Sequence, residues 1–226
     1  MERKGTVALV SGGLDSCVAL AWAVASLADV RLAVQFDYGQ THHKELEHAR
    51  KVCEHYGIPR TMIHVNMGHI KPTEVGHLLR SELDTQLAHG TVVDQHGEHV
   101  SATFVPGRNI IFLAYAGSLC DSEGYRGIVA GMNAVDYSGY PDCRPQFLHA
   151  MERALGHGLR WGVQIHTPLV MLKKSEIIKL GMDLKAPLHL TWSCYTGNTR
   201  PCGACPSCLV RAKGFKEAGV VDPALI

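Results

Sequence analysis

Five alternations of strand and helix predict an α/β fold for this sequence, a doubly wound, five-stranded parallel sheet covered by helices on both faces. Two local patterns mark where chemistry attaches to that sheet. The first strand runs into a glycine corner, "VSGGLDS" at residues 10–16, and sheets of this kind bind ligands at the carboxyl ends of their strands. Four cysteines, Cys194, Cys202, Cys205 and Cys208, crowd into one C-terminal window, which reads as a metal site. Residues 1–185 are therefore expected to form the α/β part, and residues 186–226 a small metal-binding segment packed on it.

The elements follow in order. Residues 7–10 are apolar and form the first strand, and "CVALAWAVASLA" carries a helix to about residue 28. "RLAVQF" is the second strand. In "HHKELEHARKVCEHYG" Leu46, Ala49, Cys53 and Tyr56 recur at helical spacing, and Gly57 stops the helix. "RTMIHV" is the third strand. Residues 71–103 are polar, rich in His and Gly and weakly periodic, so they are expected to run as a long excursion over the sheet edge; such loops usually serve as lids or are disordered. "IIFLAYAGSLC" is a helix and "GIVAGM" a strand, followed by the glycine- and tyrosine-rich "NAVDYSGYPDCR". A helix over about 146–156, the strand "GVQIHTP" and a helix around "KKSEIIKLG" complete the pattern, with no internal repeat.

Bulk properties bound the function. At 226 residues and 46% hydrophobic, the chain can bury one substantial core with a small appendage. A formal net charge of +1 gives no basic footprint, so no direct nucleic-acid contact is expected and a small ligand fits better. "MERK" and the later apolar run imitate a secretory leader, but Asp15 and the glycines interrupt it. No stretch approaches the ~20 apolar residues of a membrane span, and the protein reads as cytoplasmic.

At the corner, a strand-to-helix loop leaves the first N–H groups of the helix unpaired and pointing where an anion can sit. Gly12 and Gly13 let the backbone approach such a ligand with no side chain in the way. Ser11 and Ser16 add hydroxyl donors, which suits a pyrophosphate. An acid at Asp15 makes sense beside phosphates chiefly with a cation between them. Neither G-x-x-x-x-G-K-[ST] nor a G-x-G-x-x-G at this turn is present, which excludes two familiar phosphate loops. The plainer alternative is an ordinary capped helix after a glycine turn.

In the cysteine window, two C-x-x-C steps share Cys205, and a turn at Gly197 brings Cys194 round, so four thiolates can reach one tetrahedral zinc. Four protein ligands leave no open position, which makes the zinc structural. The scattered "THH" and "HGTVVDQHGEH" lack the helical spacing of a ligand pair and read as solvated or lid residues.

"SGGLDS" after a first strand resembles the loop of the N-type ATP pyrophosphatases, which cleave ATP between its α and β phosphates and leave the substrate adenylated. Together with "FDYGQ", "FVPGRN", "DYSGYPDCR", "PL" with "KSEI", and "TWSCY" followed by "CGACPSC", in that order, the chain resembles the 7-cyano-7-deazaguanine synthases over nearly its whole length, least over residues 71–103. The resemblance implies an adenine nucleotide alpha-hydrolase-like sheet. It also implies conversion of 7-carboxy-7-deazaguanine and ammonia into the nitrile, with ATP adenylating first the carboxylate and then the resulting amide. Magnesium, a structural zinc, a homodimer and a place in queuosine biosynthesis are implied with it.

Carried over residue by residue, the resemblance assigns ATP binding to Val10, Ser11, Gly12, Gly13, Leu14, Asp15, Ser16 and Lys174, and catalytic roles to Asp15, Arg108 and Lys174. Lys173 departs from the usual residue at its place and reads as solvated. Arg108 could fork onto a carboxylate or phosphate, and Asn109 is expected to cap the helix that follows. Asp136, Tyr137, Tyr140, Asp142 and Arg144, with Arg108, offer the flat slot, donors and acceptors that a deazaguanine needs; Asp142 could hold magnesium or read the base. Pro206 stands where an acid is frequent, which leaves the thiolates untouched.

Three rival functions are weighed. A recruited homologue would adenylate the same acid but join it to another amine, as in DNA modification or phage defence. A tRNA-thiolating enzyme would need a reactive cysteine, and here Cys17 reads better as a small buried residue on the first helical turn and Cys143 as part of a structural string shared with the family. A non-enzymatic zinc module would have no use for the glycine corner.

Overall fold

A computed structural model of the chain describes residues 4–39, 43–70, 91–101, 104–135, 139–195 and 199–225. In chain order they form β1 (Thr6–Leu9), α1 (Leu14–Ser26), β2 (Val30–Asp37), α2 (His43–Tyr56), β3 (Arg60–His64), β4 (Thr91–Val93), β5 (His99–Ser101), α3 (Arg108–Glu123), β6 (Gly127–Ala130), α4 (Pro145–Gly158), β7 (Gln164–His166), α5 (Lys174–Asp183) and α6 (Pro206–Ala218), with 3-10 turns at Pro141–Cys143 and Leu188–Leu190.

The five-stranded sheet has the order β3-β2-β1-β6-β7, and every neighbouring pair is parallel. β1 sits at the centre, with Val7 beside Leu32 on one side and Ile128 on the other. Successive residues point to opposite faces. Val7 joins Val34, Leu113, Ile128 and Leu155 on the side of α3 and α4, whereas Ala8 and Val10 join Leu20, Ala33, Ala49 and Val52 on the side of α1 and α2. Burial on both faces is why these strands read as continuous apolar runs. The chain builds β2 and β3 to one side of β1, then β6 and β7 to the other, so the strand order reverses there. Such a reversal opens a crevice beyond the carboxyl ends of β1 and β6.

α1 is apolar almost all round, which suits a helix that is buried along most of its length and exposes only its last turn. It packs between the sheet and α5, where a Cβ on Gly181 would lie 2.8 Å from Val18 Cγ2. α2 is amphipathic and buries only one stripe, with Ala49, Val52 and Cys53 in the core.

Two expectations need correcting. Of the excursion expected over 71–103, residues 71–90 and 102–103 lie outside the described residues, and within the rest β4 and β5 form an antiparallel hairpin rather than an irregular loop. Its turn is built by Asp94, whose Oδ1 accepts the N–H groups of His96 (2.8 Å) and Glu98 (3.0 Å), and by Gly97 at φ 78°. Asn109 does not cap α3. The cap position is Gly107, in the left-handed region at φ 71°, and the acceptor is remote: Asp142 Oδ2 takes the Asn109 N–H at 3.0 Å. The Asn109 side chain donates instead to the Asp142 carbonyl (3.3 Å) and to Cys143 Sγ (3.2 Å).

After α5 the chain returns across the mouth of the crevice. The buried Arg211 of α6 binds Asp222 through Nε (2.5 Å) and Nη2 (2.8 Å), and its Nη1 donates to Thr191 Oγ1 (2.8 Å) and Ser193 Oγ (3.1 Å). One guanidinium thus ties together α6, the strand-like segment before Cys194, and the chain's last turn. Leu188 and Phe215 enter the same apolar cluster as Val18, Val129 and Ile177, so this region shares the core of the sheet.

Candidate active site and candidate metal centre

The loop after β1 is closed by a ring of hydrogen bonds. Gly13 N–H donates to Ser11 Oγ (3.2 Å), Ser11 Oγ to Ser16 Oγ (3.2 Å), and Ser16 Oγ to the Gly13 carbonyl (3.0 Å). Gly13 is the N-cap of α1 with no side-chain cap bond, which leaves the first-turn N–H groups to a ligand. The two glycines serve different ends. Gly12 has φ 95°, and a Cβ there would overlap the Glu45 carbonyl oxygen and lie 2.6 Å from Ala49 N, so its lack of a side chain is what lets α2 press against the loop. Gly12 does not line the cavity, whereas Gly13 does: a Cβ on Gly13 would meet only Ser11 Oγ at 3.4 Å and the Trp192 carbonyl oxygen at 3.8 Å.

Lys174 is the first residue of α5, and its Nζ donates to both carboxylate oxygens of Asp15 at 2.7 Å. A cation and an acid are thereby held against the corner. Behind the lysine, a Cβ on Gly214 of α6 would come within 2.5 Å of Lys174 Cγ. The helix that starts among the cysteines therefore backs the lysine stem.

Corner and lysine open into a cavity of about 390 Å³ beyond the ends of β1 and β6. One wall is aromatic: Phe36 and Phe112 stack at 4.0 Å with 3° between their planes, and Tyr38 and Tyr140 continue the surface. Arg108 lies against both tyrosines, 5.8 Å and 5.7 Å from their ring centres, and donates to Tyr38 Oη at 3.3 Å. The far wall comes from Trp192, Ser193, Tyr195 and Arg211. A flat ring fits between aromatic faces, with the guanidinium at one edge and the phosphate corner at another.

The Sγ atoms of Cys194, Cys202, Cys205 and Cys208 all lie within 4.8 Å of one another. Four sulfurs at about 2.3 Å from one centre stand roughly 3.8 Å apart in a tetrahedron, so the spacing fits one ion rather than sulfurs spread over several metal atoms. Backbone N–H groups of Cys202 and Cys205 approach Cys194 Sγ and Cys202 Sγ at 3.3 Å. Burial works against a thiolate at Cys202, but the N–H groups of Ala204 and Cys205 bring its pKa down to about 6. The set could hold a metal ion. The turn at Gly197 lies outside the described residues.

The sequence model of the family described as "Queuosine biosynthesis protein QueC" matches residues 5–219 of this chain. The chain belongs to the QueC family. It is 43% identical over 227 residues to a 7-cyano-7-deazaguanine synthase from Thermoplasma acidophilum, covering 99% of this chain and 92% of that protein. It is 44% identical over 225 residues to one from Acetivibrio thermocellus, covering 97% of this chain and 96% of that one. Among solved structures, a U34-tRNA thiolase NcsA from Methanococcus maripaludis with its 4Fe-4S cluster aligns over 96% of this chain and 68% of its own, at 18% identity and TM-score 0.50. That last likeness concerns the fold alone.

For this QueC-family chain, the structure brings together most of the residues singled out from the sequence. Val10, Ser11, Gly13, Leu14, Asp15, Ser16, Arg108, Tyr140 and Lys174 line one cavity. Asp142 does not: it is 4% exposed beneath the wall, one oxygen spent on α3 and the other, Oδ1, buried with no partner among the described residues. Arg144 is turned away to the hairpin, where Nη2 meets Asp94 and Glu98 at 2.8 Å each, so its expected contact with substrate is not what this geometry provides. Asp136 and Tyr137 lie outside the described residues. Burial pushes the thiols of Cys17 and Cys143 up to about 12, so each is a neutral thiol rather than a sulfur nucleophile.

Several wall residues were missed, among them Glu45, Tyr38, Gly131 and Arg211. Glu45 sits among charged residues on a helix face and looks solvated in sequence, and Tyr38 lay inside the quoted "FDYGQ" without being singled out. Gly131 follows β6, where a Cβ would lie 2.7 Å from the Asp15 backbone; a glycine ending a central strand was the available signal. Arg211 lies three residues past Cys208, inside the C-terminal string that resembles the family, and was given no role there. No helix among the described residues is long and apolar enough to cross a membrane.

Proposed function

We propose that this chain makes 7-cyano-7-deazaguanine from 7-carboxy-7-deazaguanine, ammonia and ATP, by adenylating first the acid and then the amide in one site. The observation that carries the reading is a single cavity in which the Ser11–Ser16 corner, the Lys174–Asp15 pair and an aromatic slot with Arg108 all meet. Relatives named 7-cyano-7-deazaguanine synthase support the identity of the product.

A carboxylate is a poor electrophile and an amide oxygen a poor leaving group. Joining either oxygen to the α-phosphate cures both defects, and pyrophosphate departs. The α1 N-terminus with Ser11 and Gly13 would receive that pyrophosphate, and Lys174 would meet its charge. Asp15 would reach the magnesium that accompanies ATP. Arg108 would hold the acid or the α-phosphate while Tyr38, Phe112 and Tyr140 hold the ring, which fixes the attacking oxygen in line.

Zinc belongs to the same proposal. Cys194, Cys202, Cys205 and Cys208 would hold one structural ion, pinning residues 186–226 onto the ATP-binding part at 1–185 and keeping α6 behind Lys174. A cytoplasmic homodimer, which light scattering would test, completes it.

Protein given ATP, magnesium, ammonium and the acid is expected to yield the nitrile with two AMP per product, and pyrophosphate. ADP as the product would contradict it. Adenylate without nitrile until another amine is added would favour the recruited homologue.

A further inference from the structure

The proposed reaction makes a demand that the corner and Lys174 do not meet. Nitrogen enters as ammonium near neutral pH and leaves as a nitrile, so it gives up every proton inside the cavity. An amine attacks only through a free lone pair, so a base must act before the carbon–nitrogen bond forms.

Most groups on the wall are unsuited. Arg108 and Arg211 stay protonated. Burial lifts the Cys143 thiol to about 12 and the Tyr195 phenol higher. Asp15 has both oxygens on Lys174 at the phosphate corner. Glu45 is left. It stands in the first turn of α2, the helix pressed against Gly12, so its place relative to the corner is fixed by backbone contact. Its half-buried carboxyl lines the cavity, and among the described residues no hydrogen bond or ion pair engages it. Burial pushes its pKa up from 4.5 to about 7, with Arg108 pulling the other way. The charged and titratable groups around it are Arg108 from α3, Tyr195 from the cysteine segment, and Lys44 and His48 from its own helix, while Asp15, Lys174, Tyr38 and Tyr140 line the same cavity.

We propose that Glu45 is the base that takes protons from the reacting nitrogen, an inference that rests on the function proposed above. In the first half-reaction ammonium gives a proton to the Glu45 carboxylate and its freed lone pair forms the C–N bond. AMP leaves with the electron pair of the C–O bond, and the surplus N–H proton goes to water. In the second, the amide oxygen takes the α-phosphate of another ATP, pyrophosphate leaves, and an N–H proton is lost to water. Glu45, having released its first proton to solvent, then takes the last one as AMP again departs with the C–O electrons, and the nitrile forms.

Glu45→Gln keeps the shape and removes the base. With ammonium at neutral pH, nitrile formation is expected to fall roughly a hundredfold, while acid-dependent ATP–pyrophosphate exchange falls less than about threefold. Wild-type kcat/KM for ammonium should bend upward near pH 7 as Glu45 ionises, and the variant should lose that bend. Hydroxylamine is uncharged near neutrality, so hydroxamate formation by the variant is expected to stay within about threefold of wild type. Thermal unfolding gives a readout apart from activity: the folded protein keeps a proton that the unfolded chain has released, so stability falls as pH rises from 4.5 to about 7. Glu45→Gln should flatten that slope, and Glu45→Asp, a second variant in case the first folds poorly, should recover part of the ammonium rate. Nitrile at the wild-type rate with the wild-type pH profile would overturn the proposal. So would exchange, hydroxamate and nitrile falling together, which would make Glu45 a positioning residue. Absence of acid-dependent exchange in the unmutated protein would overturn the functional reading and this inference with it, and is told apart because no variant is involved.

Discussion

The glycine corner and the cysteine segment are both shaped for charge, by opposite means. The corner uses backbone N–H groups and needs side chains absent; its shape is completed by residues distant in sequence, with Ala49 and Glu45 of α2 against Gly12 and Gly131 against Asp15. The cysteine segment uses four side chains from one short window, closed on one point. Under the proposed function the corner stays open for a ligand that comes and goes, and four thiolates around one ion would leave no position open. The two meet at a hydrogen bond from Trp192 N–H to the Gly12 carbonyl (2.9 Å) and at the contact of Gly214 with the Lys174 stem. A device that depends on absence is thus braced by one that depends on presence.

Breaking the closed device should have the largest effect. Structural zinc contributes on the order of 10 kcal/mol to folding in small zinc domains. Cys205→Ser should therefore lose bound metal by elemental analysis, lower the unfolding midpoint by roughly 10 °C or more, and take ATP–pyrophosphate exchange with it through the loosened support of Lys174. Next come the two glycines, which separate packing from access. Gly12→Ala forces a side chain into α2 at a positive φ and is expected to cost about 2–4 kcal/mol. Gly13→Ala has room, so its unfolding midpoint should stay near wild type while exchange drops about tenfold as the methyl group narrows the phosphate site. Asp15→Asn should slow exchange by a similar factor, about tenfold, with under about 1 kcal/mol change in stability, since the Lys174 pair is partly solvated. The smallest effect is expected at Arg144, where Arg144→Ala should loosen the hairpin by about 1 kcal/mol and leave KM for the acid within about twofold.

The same contrast explains what could be read in the sequence. The cysteines were legible in full because their partners are near one another in the chain. The sheet was legible because strands buried on both faces leave unbroken apolar runs. Of the corner, the ligand-facing side could be read, but the role of Gly12 could not: the helix that requires it lies thirty-odd residues on, and nothing local records the approach. Asp142 and Arg144 stand in one polar string, yet one caps α3 from a distance and the other grips Asp94 and Glu98 of the hairpin. Glu45 was hidden for the converse reason, since a carboxyl on an amphipathic helix looks solvated until the wall it joins is known.

Heavy-oxygen labelling of the substrate tests the central claim, adenylation twice in one cavity, most directly. If 7-carboxy-7-deazaguanine carries the label in both carboxyl oxygens, the first AMP takes one when the adenylate is aminated, and the second AMP takes the other when the amide is dehydrated. Mass analysis should find one labelled oxygen in each AMP, an unlabelled pyrophosphate and a nitrile with no labelled oxygen. Label recovered in pyrophosphate, in phosphate or in water, with AMP unlabelled, would contradict the account.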